Sequence, residues 1–238
     1  MPRLGIGSSV SKSSIVTPGI VTDNLVLKHM YGAGEVAPGS DGAAYFQGGG
    51  TDMNDYIALP GTFNNNTHTI SAWVWFPDDS DNKTIFDYRD ANDDGIHIYV
   101  STSEQLVYQI NTVDGHYTTS IATNTWHHVV GTNDGTTSKI YLNGVLVESA
   151  NTSSVTVNVS GAEARIGARS HTSASNYYQG YICNVGFWSS ALTQAQIKSI
   201  MNKNYAGLTD SEKTNLVSWW NLSADANDSH GSNNGTLT

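Results

Sequence analysis

The chain has 238 residues, a length one all-β domain can fill, with 38% hydrophobic and 13% charged residues and 23 glycines. Ser, Thr and Asn tracts between short apolar runs suit many strands joined by polar turns. A formal net charge of −10 with 11 thinly scattered Lys and Arg excludes sequence-independent nucleic-acid binding, which needs a basic face against the phosphates.

One cysteine, Cys183, excludes an intramolecular disulfide framework and a multi-thiolate metal site. No run approaches the roughly 18 apolar residues of a membrane span, so no membrane insertion is expected. The first residues lack the apolar core of a secretory signal.

Residues 1–24 are rich in Ser, Gly, Val and Ile, with Pro2 and Pro18 and no helical period, which predicts an extended arm or a frayed terminus. The remainder, 25–238, reads as one domain. From Ala43 to Trp188 the dominant period is two, which predicts strands at Thr69–Phe76, Lys83–Tyr88, Gly95–Val100, Glu104–Thr112, Trp126–Thr132, Ser138–Asn143 and Gly144–Ser149. Asn143-Gly144 sits between two such runs and suits the positive φ angles of a two-residue hairpin turn. Alternating Val155, Val157 and Val159, then Glu163–Ala168 and Tyr178–Trp188, complete the set. Strands this frequent predict an all-β sandwich of two antiparallel sheets. Two capping boxes, Thr193 with Gln196 and Thr209 with Glu212, predict two short helices near the C-terminus. A closing strand over Leu216–Leu222 follows, then a polar tail from Asp225.

Catalysis is not expected. Glycan hydrolysis on such a sheet needs two carboxylates at i and i+2 or i+4 of one strand, whereas Glu104, Glu148 and Glu163 each stand alone. The histidines have no nucleophile in an elbow-type glycine context. His127 and His128 alternate faces, which predicts one packed and one solvated ring. The best metal candidate is Asp90-Ala-Asn92-Asp-Asp94-Gly95, the first half of a calcium loop. Its second half fails, since Ser101 stands where a bidentate Glu belongs, and a polar hairpin turn is the favoured reading. Asp225 to Ser229 is a weaker candidate, read as solvated tail.

Sugar recognition needs an aromatic platform and planar polar groups. Tyr88, Arg89, Asp90, Asn92, His116, Tyr117, His171, Asn176, Tyr177 and Tyr178 supply these types among the predicted loops. Tyr88, Arg89, His116, Tyr117, Tyr177 and Tyr178 are the leading glycan-binding candidates, with unrelated surface residues as the alternative. The tryptophans lie in strands, where core packing is expected.

The run Trp126-His-His-Val-Val-Gly-Thr-Asn-Asp-Gly135 through Asn143-Gly144-Val-Leu-Val closely resembles the strand-turn-hairpin signature of laminin-G-like (concanavalin-A-like) jelly-roll domains. Tyr45-Phe-Gln-Gly, Asp55-Tyr-Ile-Ala-Leu, Thr69–Phe76 and Tyr178–Trp188 with Ala191–Ile197 fit the same family. This resemblance implies the jelly-roll sandwich. Family members often hold calcium through an Asp just after the Ile of the last long strand; here Cys183 and Asn184 follow Ile182, a poor set for a hard cation. No cofactor is therefore required, and were calcium to bind, Asp52 and Asp55 would join Asp90, Asn92 and Asp94 as candidates.

The flanks, Met1–Ser9, Thr17–His29 and Trp219 to Leu237, resemble structural proteins of marine tailed bacteriophages. That likeness implies a non-enzymatic virion component (a capsid decoration protein, fibre or appendage), homo-oligomeric, with other virion or capsid proteins as partners. The alternative is a carbohydrate-binding or adhesion module, extracellular or at the cell surface, that recognises a host-surface glycan.

Overall fold

The computed structural model describes residues 26–28, 37–50, 53–77, 81–111, 113–153, 155–170 and 175–238; the predicted arm over 1–24 lies outside them. In chain order the strands are β1 (Val26–Lys28), β2 (Ala43–Gln47), β3 (Gly49–Gly50), β4 (Met53–Asn54), β5 (Ile57–Leu59), β6 (Thr67–Trp75), β7 (Lys83–Arg89), β8 (Gly95–Val100) and β9 (Gln105–Ile110). They continue as β10 (Val113–Ser120), β11 (Trp126–Asp134), β12 (Thr137–Leu142), β13 (Val145–Asn151), β14 (Ala164–Ile166), β15 (Gln179–Trp188), β16 (Leu216–Trp220) and β17 (Thr236–Leu237). One sheet runs β1-β2-β15-β6-β11-β12-β13, with β16 also paired to β15. The second runs β10-β9-β8-β7-β14-β5-β17, a short ribbon pairs β3 with β4, and every strand pairing among the described residues is antiparallel. This is the predicted all-β sandwich.

Asn143 and Gly144 turn at φ +50° and +75° between the paired residues Leu142 and Val145, the tight hairpin their sequence demands. The inner faces meet in one apolar core, to which β6 gives Ile70, Ala72 and Val74 and β8 gives Ile96, Ile98 and Val100. Phe63 fills its centre, edge-on to Phe86, Tyr88 and Phe187 with ring centroids 4.9–5.6 Å away.

The first sheet is covered on its outer face too. Val130, Tyr141 and Trp188 there pack against Leu192, Ile197, Ile200, Leu208 and Trp219. Helix α1 (Gln194–Ile200) supplies Ile197 and Ile200, and Trp73 Nε1 ties the layer down by donating to Met201 O at 2.7 Å. Both faces of the sheet being buried explains why His127 and His128 are both buried, against the expectation of one solvated ring. His128 Nε2 lies 2.9 Å from Ser71 Oγ, and His127 Nε2 lies 2.8 Å from Ala122 O.

Two C-terminal expectations need correction. The Thr193 box opens α1, but the Thr209 box opens a run of turns and no second helix. One i→i+4 bond, Lys213 N to Thr209 O, gives way to an i→i+3 bond from Leu216 N to Lys213 O, and Asn215 at φ +62° turns the chain into β16. Nor is the tail loose, although most of its side chains are exposed. Asp228 is buried and accepts from the backbone N–H groups of Trp219, His230, Gly231 and Asn233 at 3.0–3.1 Å, and β17 then pairs with β5. Burial raises the Asp228 pKa, but these amides outweigh it and hold it below the usual range.

Glu212 fastens the outer layer, taking Lys203 Nζ at 2.6 and 2.8 Å, Ser199 Oγ at 2.6 Å and Thr209 N at 2.8 Å. Burial opposes ionisation, but these donors bring the carboxyl from 4.5 down to about 2. A depressed folded-state pKa stabilises the fold fully above the unfolded value, and that contribution disappears as pH falls from about 4.5 to about 2. Glu212→Gln should cost about 1–3 kcal/mol in urea unfolding at pH 7. It should also flatten the acid limb of stability against pH; wild type and variant losing stability in parallel below pH 4.5 would refute the coupling.

Candidate functional site

The outer face of the second sheet carries buried charge. In β7, Phe86 and Tyr88 point into the core, so the intervening Asp87 and the following Arg89 point outward. Register then aligns Arg165, Asp87, His97 and Gln109 in one row across β14, β7, β8 and β9. The next row sets Thr84, Tyr99, Val107 and Tyr117 side by side.

Arg89, 2% exposed, is the centre of this face. Its Nη2 lies 2.6 Å and its Nε 3.1 Å from Asp87 Oδ2, while Nη1 reaches Gln109 Oε1 and Asp93 Oδ1, each at 3.1 Å. Such a fork fixes a guanidinium in plane. Ser170 Oγ donates to Asp87 Oδ1 at 2.6 Å and accepts from Arg89 N at 3.0 Å. Arg169 Nη2 donates to the same Asp93 Oδ1 at 2.8 Å. These groups border a cleft of about 210 Å³ lined by Asn82, Arg89, Asp93, His97, Tyr99, Gln109, Arg169 and Asn176.

His97 is neutral here, since burial pulls its pKa to about 3 despite the nearby Asp87 carboxylate. Its Nε2 lies 3.1 Å from Thr84 Oγ1 and 3.6 Å from Asp87 Oδ2. Its ring stacks on half-exposed Tyr99 with centroids 4.3 Å apart and planes within 16°. Two buried polar atoms of the lining, His97 Nδ1 and Arg169 Nε, have no hydrogen-bond partner. Such atoms cost about 1–3 kcal/mol each when left unmade.

Of the residues predicted for sugar recognition, Arg89 and Asn176 line the cleft. Tyr88 and Tyr178 are corrected to the core. Tyr88 packs on Phe63, and Tyr178 packs on Phe46 with its hydroxyl donating to Trp75 O at 3.1 Å. Tyr177 is half-buried beside Tyr56 and Arg165, next to cleft residue Asn176. His116 and Tyr117 lie on β10, opposite Tyr108 and Val107; His171 lies outside the described residues.

Sequence reasoning missed Asp87, Asp93, Tyr99, Gln109 and Arg169, and found no role for His97. The available signal was alternate polar positions, Asp87 and Arg89 then His97 and Tyr99, on two runs joined by a short turn.

The described metal candidates form no cluster. Asp90 Oδ1 accepts from Asn92 N at 2.8 Å and Asp94 N at 3.2 Å, an Asx-type turn closing the β7–β8 hairpin. Asp55 is buried, with Oδ2 taking Gln47 N at 3.1 Å and Oδ1 unpartnered; Asp52 lies outside the described residues. Burial pushes the Cys183 thiol up to about 12, so no thiolate forms. Among the described residues no three His, Cys, Asp or Glu side chains group to hold an ion.

Two antiparallel sheets with this order form a jelly-roll sandwich of the concanavalin-A-like type, one face of which carries the polar cleft. The chain belongs to the concanavalin A-like lectin/glucanases superfamily, whose laminin-G-type model matches residues 49–198.

A candidate carbohydrate-binding protein from Bacteroides ovatus superposes with a TM-score of 0.65 at 20% identity, over 85% of this chain and 59% of that one. Domain 4 of an extracellular arabinanase from Geobacillus stearothermophilus, solved with arabinotriose, gives 0.53 at 22% identity over 69% and 79%. The heptameric SAP-like pentraxin of Limulus polyphemus gives 0.55 at 18% over 66% and 80%. The chain thus spans about three fifths of the Bacteroides protein's length. No curated protein sequence matches it.

Removing one partner of a buried ion pair strands the other, at about 3–5 kcal/mol. Arg89→Met should lose that much in urea unfolding, and Asp87→Leu combined with Arg89→Met should recover most of it. A double variant no more stable than Arg89→Met would show that the pair is not the unit that matters.

Proposed function

We propose that this protein is a non-catalytic carbohydrate-binding module whose site is the polar cleft on the outer face of the second sheet. The observation that carries the reading is the half-exposed Tyr99 ring, held flat against His97 among fixed planar hydrogen-bonding groups, Arg89, Gln109 and Asn176. A sugar ring offers an apolar face for such a platform and hydroxyls for such donors and acceptors. The cleft suits a single ring or the end of a chain. Its carboxylates, Asp87 and Asp93, are both engaged with guanidinium groups, an arrangement suited to recognition and not to proton transfer.

The superposed Bacteroides protein and the arabinanase domain support a glycan reading by fold. The virion reading rests on the likeness of the flanks, whereas the superposed carbohydrate-binding proteins support the glycan reading, which is preferred. It places the module outside the cell or at a surface, where polysaccharide is met, with a cell-surface glycan as partner. It uses no cation, and the same titration with and without EDTA checks the calcium expectation.

Titration calorimetry against an oligosaccharide array should find a binder in the micromolar to millimolar range. Tyr99→Ala should weaken it about tenfold while the protein still unfolds cooperatively on heating. Binding that survives Tyr99→Ala at full strength would move the site elsewhere.

A further inference from the structure

The two unpartnered atoms of the cleft have opposite hydrogen-bonding character, and together they specify the chemistry of the missing partner. Arg169 Nε–H can only donate. Thr84 Oγ1, 3.1 Å from His97 Nε2, can donate or accept, and the Asp87 carboxylate 3.6 Å away favours the ring proton on Nε2; with the proton there, Nδ1 presents a lone pair. The cleft therefore wants a group that accepts at one place and donates at another. A carboxylate or sulfate accepts only, and would set its lone pairs against that of His97. A hydroxyl does both.

Charge points the same way. The guanidiniums of Arg89 and Arg169 are matched by the carboxylates of Asp87 and Asp93, so the cleft holds no uncompensated positive charge for an anion. The turn that carries Asp93 also carries Asp90 and Asp94, and the whole chain has a net charge of −10. An acidic sugar would approach against this field.

We infer that the cleft selects neutral sugars over carboxylated or sulfated ones, with sugar hydroxyls donating to His97 Nδ1 and accepting from Arg169 Nε. This rests on the carbohydrate-binding reading above and narrows it to a substrate class.

The test uses the full chain and a defined array. Arabinotriose, xylotriose, maltotriose and methyl-esterified trigalacturonate are the neutral probes; trigalacturonate, 3′-sialyllactose and sulfated lactose are the acidic ones. Esterified and free trigalacturonate share a ring and differ in charge. At least one neutral probe should bind, and each acidic probe should bind at least tenfold more weakly than the best neutral one.

Arg169→Lys keeps the positive charge opposite Asp93 but removes the Nε–H, at a side chain 28% exposed, where folding should be spared. It should weaken the neutral probe about tenfold, and the ring ¹⁵N resonances of His97 in the wild-type protein should shift on binding.

Acidic probes binding as tightly as neutral ones would overturn this inference and leave the carbohydrate reading standing. So would neutral binding that neither Arg169→Lys nor the His97 resonances register. An array on which no probe binds would overturn both.

Discussion

The packing of residues 192–219 against the outer face of the first sheet determines which side of the sandwich can carry a site. With Val130, Tyr141 and Trp188 closed over by α1, Leu208 and Trp219, that sheet is apolar on both sides. The second sheet turns most of its apolar residues to the inner face, and its outer face, Val107 apart, carries polar groups and Tyr99. Glu212 is the fastener of this arrangement, because its carboxylate holds Lys203, Ser199 and Thr209 in the segment that covers the first sheet.

Polar groups on the free face are not simply solvated. Asp87, Arg89, His97 and Ser170 are all buried, and they bury one another. A planar guanidinium shared among two carboxylates and an amide leaves little rotational freedom at the cleft floor. That rigidity is what a weak, ordered ligand such as a sugar requires, because binding then spends little free energy on immobilising the receptor. The Asx-type turn at Asp90 serves the same end by holding Asp93 over both arginines.

Much of this architecture was legible in the residues. Asn143-Gly144 fixed a hairpin, Thr193 and Gln196 fixed α1, and the period of two fixed the sandwich, because each signal is local and depends on the backbone alone. Of the predicted glycan residues, Tyr88 and Tyr178 lie in the core, because the deciding information is not local. Tyr88 and Arg89 are neighbours in sequence, and only the pleat of β7 decides that one enters the core and the other the cleft. Pairing of His97 with Asp87 depends on the register of the β7–β8 hairpin, which slips by one residue at the bulge between Thr84 and Phe86. Strand β10 was missed because Asp114-Gly115-His116 reads as a loop, yet it pairs with β9 at the sheet edge. Asp228 looked like one more polar residue of a tail, since nothing in a sequence shows four amides converging on one carboxylate.

Strands far apart along the chain close both sheets. β2 pairs with β15, β5 pairs with β14 and β17, and β16 joins β15 where β2 leaves it. Each of these pairings encloses a loop of many residues before its first contact is made, so loop closure dominates the entropy of the folding barrier. Early strands such as β2 and β5 therefore emerge from the ribosome with unsatisfied edges and wait for partners made much later. Folding of this sandwich should accordingly be slow, with the polar cleft assembled only once β14 has docked beside β7.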